Sequence, residues 1–227
     1  DSDYDVRFVY YRNIDDYLSL NKKADVIHIA FDKELNRVHP EGALIDVQGF
    51  DIFKYCTLLS SSNPTTIEWL MTDMVYYREQ NKVFKEFAEK YFNPTSLYYH
   101  YKSMCKSNYL KYLVTNNDVT YKRYLYCLRG MLNAEYVKRF NRVPSINFLE
   151  TVDLLINHQD ISIEIGDVIK KIIKLKKEKK EIYIIDRITN VDLEIQSFIN
   201  EVPNDLLIVK KSIDILDKEI KKILKIK

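Results

Sequence analysis

Hydrophobic positions along the chain follow two rhythms, and the change falls near Asn93-Pro94. Before it, residues 6–11, 26–31 and 43–47 are short runs rich in β-branched and aromatic side chains, which predict three strands. Residues 14–20 predict a short helix or a turn, and residues 35–42, with Pro40 and Gly42, a hairpin connection. Gly49-Phe50-Asp51 reads as a strand-to-helix turn, with Asp51 capping a helix that runs through Leu59. A second helix is expected after Ser62-Asn63-Pro64, where Pro64 suits a first turn, and a third over residues 82–91.

From Thr95 onward the period is helical. Leu97, Tyr101, Met104, Cys105, Asn108 and Tyr112 fall near i, i+3, i+4, i+7 spacing. Further helices are expected over residues 120–140, after Pro144, and over 161–180 and 205–226. The predicted class is α+β, with a sheet-containing domain over residues 1–93 and an α-helical domain over 94–227.

Composition narrows this picture only slightly. Four glycines and five prolines in 227 residues favour long helices over irregular structure. A net charge of +2 neither demands nor excludes a nucleic-acid partner. Cys56, Cys105 and Cys127 lack metal-ligand spacing and read as reduced, buried thiols of a cytoplasmic protein. No apolar run approaches the roughly 18 residues of a membrane span, so no membrane partner is expected. The four histidines are too scattered for zinc, and glycine-rich loops of the Walker or dinucleotide type are absent, which removes kinase and dehydrogenase readings.

The chemistry lies at the start. Asp3 and Asp5 alternate into an apolar run broken only by Arg7. Residues two apart in a strand point the same way, roughly 6.5–7 Å apart. With a third acid on a neighbouring strand, such a pair can hold two hard cations about 3.5–4 Å apart. Asp46, inside the apolar run Leu44-Ile45-Asp46-Val47, is the candidate third acid, because an uncompensated carboxylate there is costly. Asp51 competes for that place and reads better as a helix cap. The bland alternatives are an acidic turn for Asp3 and Asp5, an edge-strand acid for Asp46, and a structural role for His28.

The segment Asp1-Ser2-Asp3-Tyr4-Asp5-Val6-Arg7-Phe8 resembles the acidic motif of DNA polymerase β-type nucleotidyltransferases, and more closely those associated with RNA-repair gene clusters. The resemblance continues through residues 46–54, Ser62-Asn63-Pro64-Thr65, Glu68-Trp69-Leu70, Tyr99-His100-Tyr101, Ser103-Met104, residues 122–126 and Arg129, and so spans roughly residues 1–155. It implies a small mixed-sheet, polymerase β-like catalytic domain followed by helices. It also implies Mg2+ (or Mn2+) on Asp3, Asp5 and Asp46, a nucleoside triphosphate substrate, and a hydroxyl acceptor such as an RNA end. Asp46 would accept the acceptor's proton or orient a metal. The family's Gly-Ser phosphate cradle is expected just before the acidic strand, ahead of Asp1. The opening Asp, rather than Met, suggests a fragment or a processed product. A polypeptide truly starting at Asp1 is expected to turn over negligibly, and one with residues ahead of it to be competent. The competing reading is a catalytically inactive module of this fold that binds nucleic acid or a protein.

Related nucleotidyltransferases bring basic and aromatic side chains over the nucleotide from a helical module. On that basis Lys122, Arg129, Tyr126 and His100 are candidate nucleotide-binding residues, with Arg123, Lys102 and Tyr124 as neighbours of interest. Lys122 and Arg129 are seven apart and share a helical face. Surface charges flanking a tyrosine-rich core stripe explain them equally well. The lysine-rich stretch 170–181 reads as the solvated face of a packed helix rather than an RNA contact.

Overall fold

The computed structural model describes residues 4–41, 43–77, 82–115, 118–178, 182–203, 206–209 and 213–226. In chain order the elements are β1 (Tyr4–Tyr10), α1 (Ile14–Leu18), β2 (Val26–Phe31), β3 (Ile45–Asp51), α2 (Ile52–Ser60), α3 (Pro64–Met71) and α4 (Lys82–Lys90). They continue with α5 (Pro94–Asn108), a π-helical segment (Tyr109–Val114), α6 (Tyr121–Phe140), α7 (Phe148–Asn157), α8 (Ile163–Lys177), α9 (Thr189–Asn200) and α10 (Ile213–Ile223). The fold is mixed α/β, a small three-stranded mixed sheet with many helices.

Two compact units emerge from the contacts. The first comprises residues 1–61, 65–91 and 211–227, and the second residues 62–64 and 92–210. Thus α10, placed by sequence pattern with the helical domain, clusters with the sheet unit. The reason is its apolar stripe, since Leu216 and Ile220 are buried and α10 packs on α2 and α4.

In the first unit the strand order is β1-β3-β2, with β1 parallel and β2 antiparallel to the central β3. α2 packs against β1 and β3. Its start is fixed by Asp51, whose Oδ1 accepts from the Phe53 amide at 3.0 Å and whose Oδ2 accepts from the Tyr17 hydroxyl at 2.8 Å. Asp51 is therefore the helix cap the sequence predicted. The expected turn at Gly49 is not there, because β3 continues through it to Asp51. Gly49 is small for another reason. Its register partner is Phe8, and a Cβ would lie 2.3 Å from the Phe8 ring.

The second unit is built on an antiparallel pair, α5 and α6. Leu97, Tyr98, Tyr101 and Cys105 of α5 are buried, as are Leu128, Met131 and Leu132 of α6. The helices come close because Gly130 has no side chain. A Cβ there would lie 2.8 Å from the Cys105 amide nitrogen and 2.9 Å from its Cα. Alanine normally favours a helix over glycine by about 1 kcal/mol, but backbone atoms yield poorly to overpacking, which typically costs about 1–3 kcal/mol. Gly130→Ala is therefore expected to destabilise the chain, and a rise in its urea midpoint would contradict this close approach.

α6 ends at Asn141, in the left-handed region at φ 49°, whose amide donates to the Val137 carbonyl at 2.9 Å. α8 buries Ile165, Ile169 and Ile172 and exposes Lys170, Lys171 and Lys174, the solvated face of a packed helix. All three cysteines are buried and free, and burial pushes the Cys56 and Cys105 thiols up to about 12. Among the described residues no helix is long and apolar enough to cross a membrane.

Candidate active site

Register assembles the acids. Asp5 of β1 lies directly opposite Asp46 of β3, with Ala30 of β2 on the far side of Asp46. The next row on the same sheet face is Arg7, Gln48 and His28. Asp46 thus sits on the central strand with a basic side chain reaching it diagonally from each neighbour, Arg7 and His28. Arg7 Nη2 donates to Asp5 Oδ1 at 2.6 Å and to Asp46 Oδ2 at 3.0 Å, and its Nη1 donates to the main-chain carbonyl of Asp46 at 3.0 Å. His28 Nε2 is hydrogen-bonded to Asp46 Oδ1 at 2.5 Å.

The electrostatics follow from these contacts. Burial works to raise the Asp46 carboxyl, but the hydrogen bonds from His28 and Arg7, with their charges, outweigh it and hold it below the usual carboxylate range. The Asp46 side chain is 26% exposed, whereas that of Asp5 is 70% exposed. One acid is thus fixed from both sides and the other stands open to an incoming group.

Asp3 lies outside the described residues. Among the described residues no cluster of three or more His, Cys, Asp or Glu side chains is placed to hold a metal ion. The donor chemistry of Asp5 and Asp46 nonetheless suits a hard divalent cation, since both present carboxylate oxygens that converge on one positively charged nitrogen.

The helical candidates divide. Lys122, Tyr126 and Arg129 are exposed at i, i+4 and i+7 on α6, one face of that helix. Tyr126 contacts Tyr112 of the π-helical segment, ring centroids 5.6 Å apart, and Lys111 Nζ stands 4.8 Å from the Tyr112 ring centroid. Asn108 of α5 donates to the Tyr126 carbonyl at 3.1 Å. His100 is eight residues before Asn108, roughly 12 Å along the helix, and is not part of that cluster. It is exposed, yet partial burial lowers its pKa.

Three neighbours of interest have structural duties instead. Tyr124 is wholly buried, its hydroxyl donating to Asp192 Oδ1 at 3.1 Å and accepting from the Ile188 amide at 2.9 Å, so it is no base-stacking surface. Lys102 Nζ donates to the Phe198 carbonyl at 2.8 Å and to the Glu201 carbonyl, capping the end of α9. Arg123 donates to the Asp118 carbonyl ahead of α6. Sequence reasoning missed Arg7, His28 and Tyr112. The available signals were an arginine interrupting an apolar strand, a histidine inside another, and a tyrosine on the helical stripe.

A small mixed sheet carrying in-register acids, followed by helices, defines a polymerase β-like domain with a helical part. The chain belongs to the RNA repair pathway DNA polymerase beta family (RlaP), whose model matches residues 1–224. It is also similar to the "Uncharacterized protein YcgL" of Bacillus subtilis (strain 168), with 28% identity over 204 residues, covering 89% of this chain and 73% of that protein. No solved structure matches the chain. Membership of this family points to nucleotidyltransferase activity.

Proposed function

We propose that this chain transfers a nucleoside monophosphate from a nucleoside triphosphate to a hydroxyl acceptor, an RNA end, with Mg2+ or Mn2+ as cofactor. The observation that carries the reading is the Asp5–Asp46 pair, opposed in register on parallel strands and converging on a single cationic nitrogen. Like charges directly opposite one another are destabilising, so the pairing makes physical sense as a place for positive charge. Asp5 and Asp46 would hold the metal, and Asp3 enters the proposal on sequence alternation alone. A metal ion bound there would polarise phosphate oxygens and lower the pKa of the attacking hydroxyl.

The protein's own side chains supply position. His28 and Arg7 hold Asp46 ionised and hydrogen-bonded on both oxygens, a carboxylate that would orient a metal or accept the acceptor's proton. On the helical unit Lys122 and Arg129 provide positive charge on either side of the exposed Tyr126 ring, which supports nucleotide or RNA contact through phosphate and base together.

The test is to incubate the protein, in the full form found in the cell, with labelled triphosphates, Mg2+ and a mixed RNA pool. Label is expected in RNA with the parent protein and not with Asp5→Asn. Incorporation that persists in Asp5→Asn would remove the acid pair from the chemistry. No incorporation, with RNA still bound, would make the chain a binding module.

A further inference from the structure

Arg7 makes more contacts than strand cohesion requires. Its Nη1 donates to the Val6 carbonyl at 3.2 Å and to the Asp46 carbonyl at 3.0 Å, which fixes one arm of the guanidinium on the main chain. Its Nη2 bridges the two carboxylates, at 2.6 Å from Asp5 and 3.0 Å from Asp46. That bridging nitrogen supplies the charge a hard cation would supply. Resting on the nucleotidyltransferase reading above, we propose that Arg7 is a positioning residue. It holds Asp5 and Asp46 together while no metal or nucleotide is bound, and it transfers its Nη2 donor to the polyphosphate of the incoming nucleoside triphosphate.

The exchange is physically easy. The Asp5 end of the bridge is 70% exposed, and exposed ion pairs are individually weak. A guanidinium N–H donates to a phosphate oxygen at least as well as to a carboxylate oxygen. With Nη1 held by main-chain carbonyls the rigid guanidinium stays in place, and a phosphate oxygen meets Nη2 where it stands as the exposed Asp5 carboxylate swings away. Phosphate then replaces carboxylate as the anion beside a charge that never leaves the site. Two cations competing for the same carboxylates also explain why one of the two acids is left open to solvent.

The proposal gives effects of opposite sign, which a purely structural ion pair does not. Mn2+ alone is titrated by electron paramagnetic resonance. Non-hydrolysable α,β-methylene analogues of the four nucleoside triphosphates are then titrated by calorimetry at saturating Mn2+. Arg7→Gln is expected to bind Mn2+ about threefold or more tighter, because its competitor is gone. It is expected to bind the preferred analogue roughly tenfold more weakly, the scale of a lost charge-assisted hydrogen bond. A loss in both, or unchanged Mn2+ affinity, overturns the proposal. If Arg7→Gln does not fold, Arg7→Lys decides, since it keeps the charge and loses the main-chain contacts that aim Nη2. Near-parent Mn2+ affinity with weakened analogue binding supports the proposal, and unchanged analogue binding overturns it. If the parent protein and both variants bind neither probe, the nucleotidyltransferase reading itself has failed, and this proposal with it.

Discussion

Asp46→Asn is expected to lower nucleotidyl transfer by at least about a thousandfold, since in the proposed function it removes a metal ligand and the candidate proton acceptor. It is also expected to change how stability depends on pH. In the folded chain burial pushes the Asp46 carboxyl up, but His28 and Arg7 outweigh it, so its folded pKa lies below the ordinary 3.8. A carboxyl depressed on folding stabilises the protein above its unfolded pKa, and that contribution is lost as pH falls through the folded value. The parent protein should therefore exceed Asp46→Asn in urea midpoint at pH 7, and the gap should close below about pH 4. Activity within tenfold of the parent would place the proton acceptor elsewhere. A stability gap that stays constant down to pH 3 would mean that the hydrogen bonds from His28 and Arg7 do not favour the ionised form.

The same cluster shows how far the sequence could be read. Strand alternation identified Asp5 and an acid inside an apolar run identified Asp46, because burial rules act on single residues. Arg7 and His28 were not legible as partners, because their role depends on strand order and register. β3 lies between β1 and β2, and nothing local in a chain announces that a later strand will insert between two earlier ones. Gly49 reads locally as a turn residue, although its smallness serves the Phe8 ring on the neighbouring strand. Of the helix expected over residues 205–226, residues 206–209 are not helical, while α10 (Ile213–Ile223) is seen. Ahead of it the Leu207 carbonyl accepts from the Thr95 amide at 3.3 Å and hydroxyl at 2.7 Å, and the Val209 carbonyl accepts from Asn93 at 3.2 Å, so tertiary bonds replace helical ones. α9 went unread although Val191, Ile195 and Phe198 form a stripe. It starts from Ile188 without a side-chain cap and carries no glycine stop, so its ends give no signal. Lys122, Tyr126 and Arg129 were legible because one helix fixes their spacing without tertiary help.

Asp192→Ala is expected to destabilise the helical unit by about 2–3 kcal/mol. Asp192 is buried and accepts from two sides, from the Tyr124 hydroxyl at 3.1 Å and from Arg187 Nε at 2.8 Å. Arg187 Nη1 in turn donates to the Leu113 carbonyl at 2.6 Å, and the Tyr124 hydroxyl accepts from the Ile188 amide at 2.9 Å. This one carboxylate thereby joins α6, α9, the segment leading into α9 and the π-helical turn. Breaking a fully buried charge pair typically costs about 3–5 kcal/mol. Here the Arg187 side chain is 45% exposed and regains water, which brings the figure down. Tyr124→Phe removes the donor to Asp192 and the acceptor of the Ile188 amide but leaves Asp192 its arginine, so it should cost about 1–2 kcal/mol. The double variant should fall short of the sum, because both changes strike the same network. Urea denaturation of the three variants checks all of this. Since Tyr126 lies outside the network, nucleotide affinity under native conditions should survive Tyr124→Phe unchanged. A loss of affinity there would return Tyr124 to the binding surface and weaken the assignment of stacking to Tyr126.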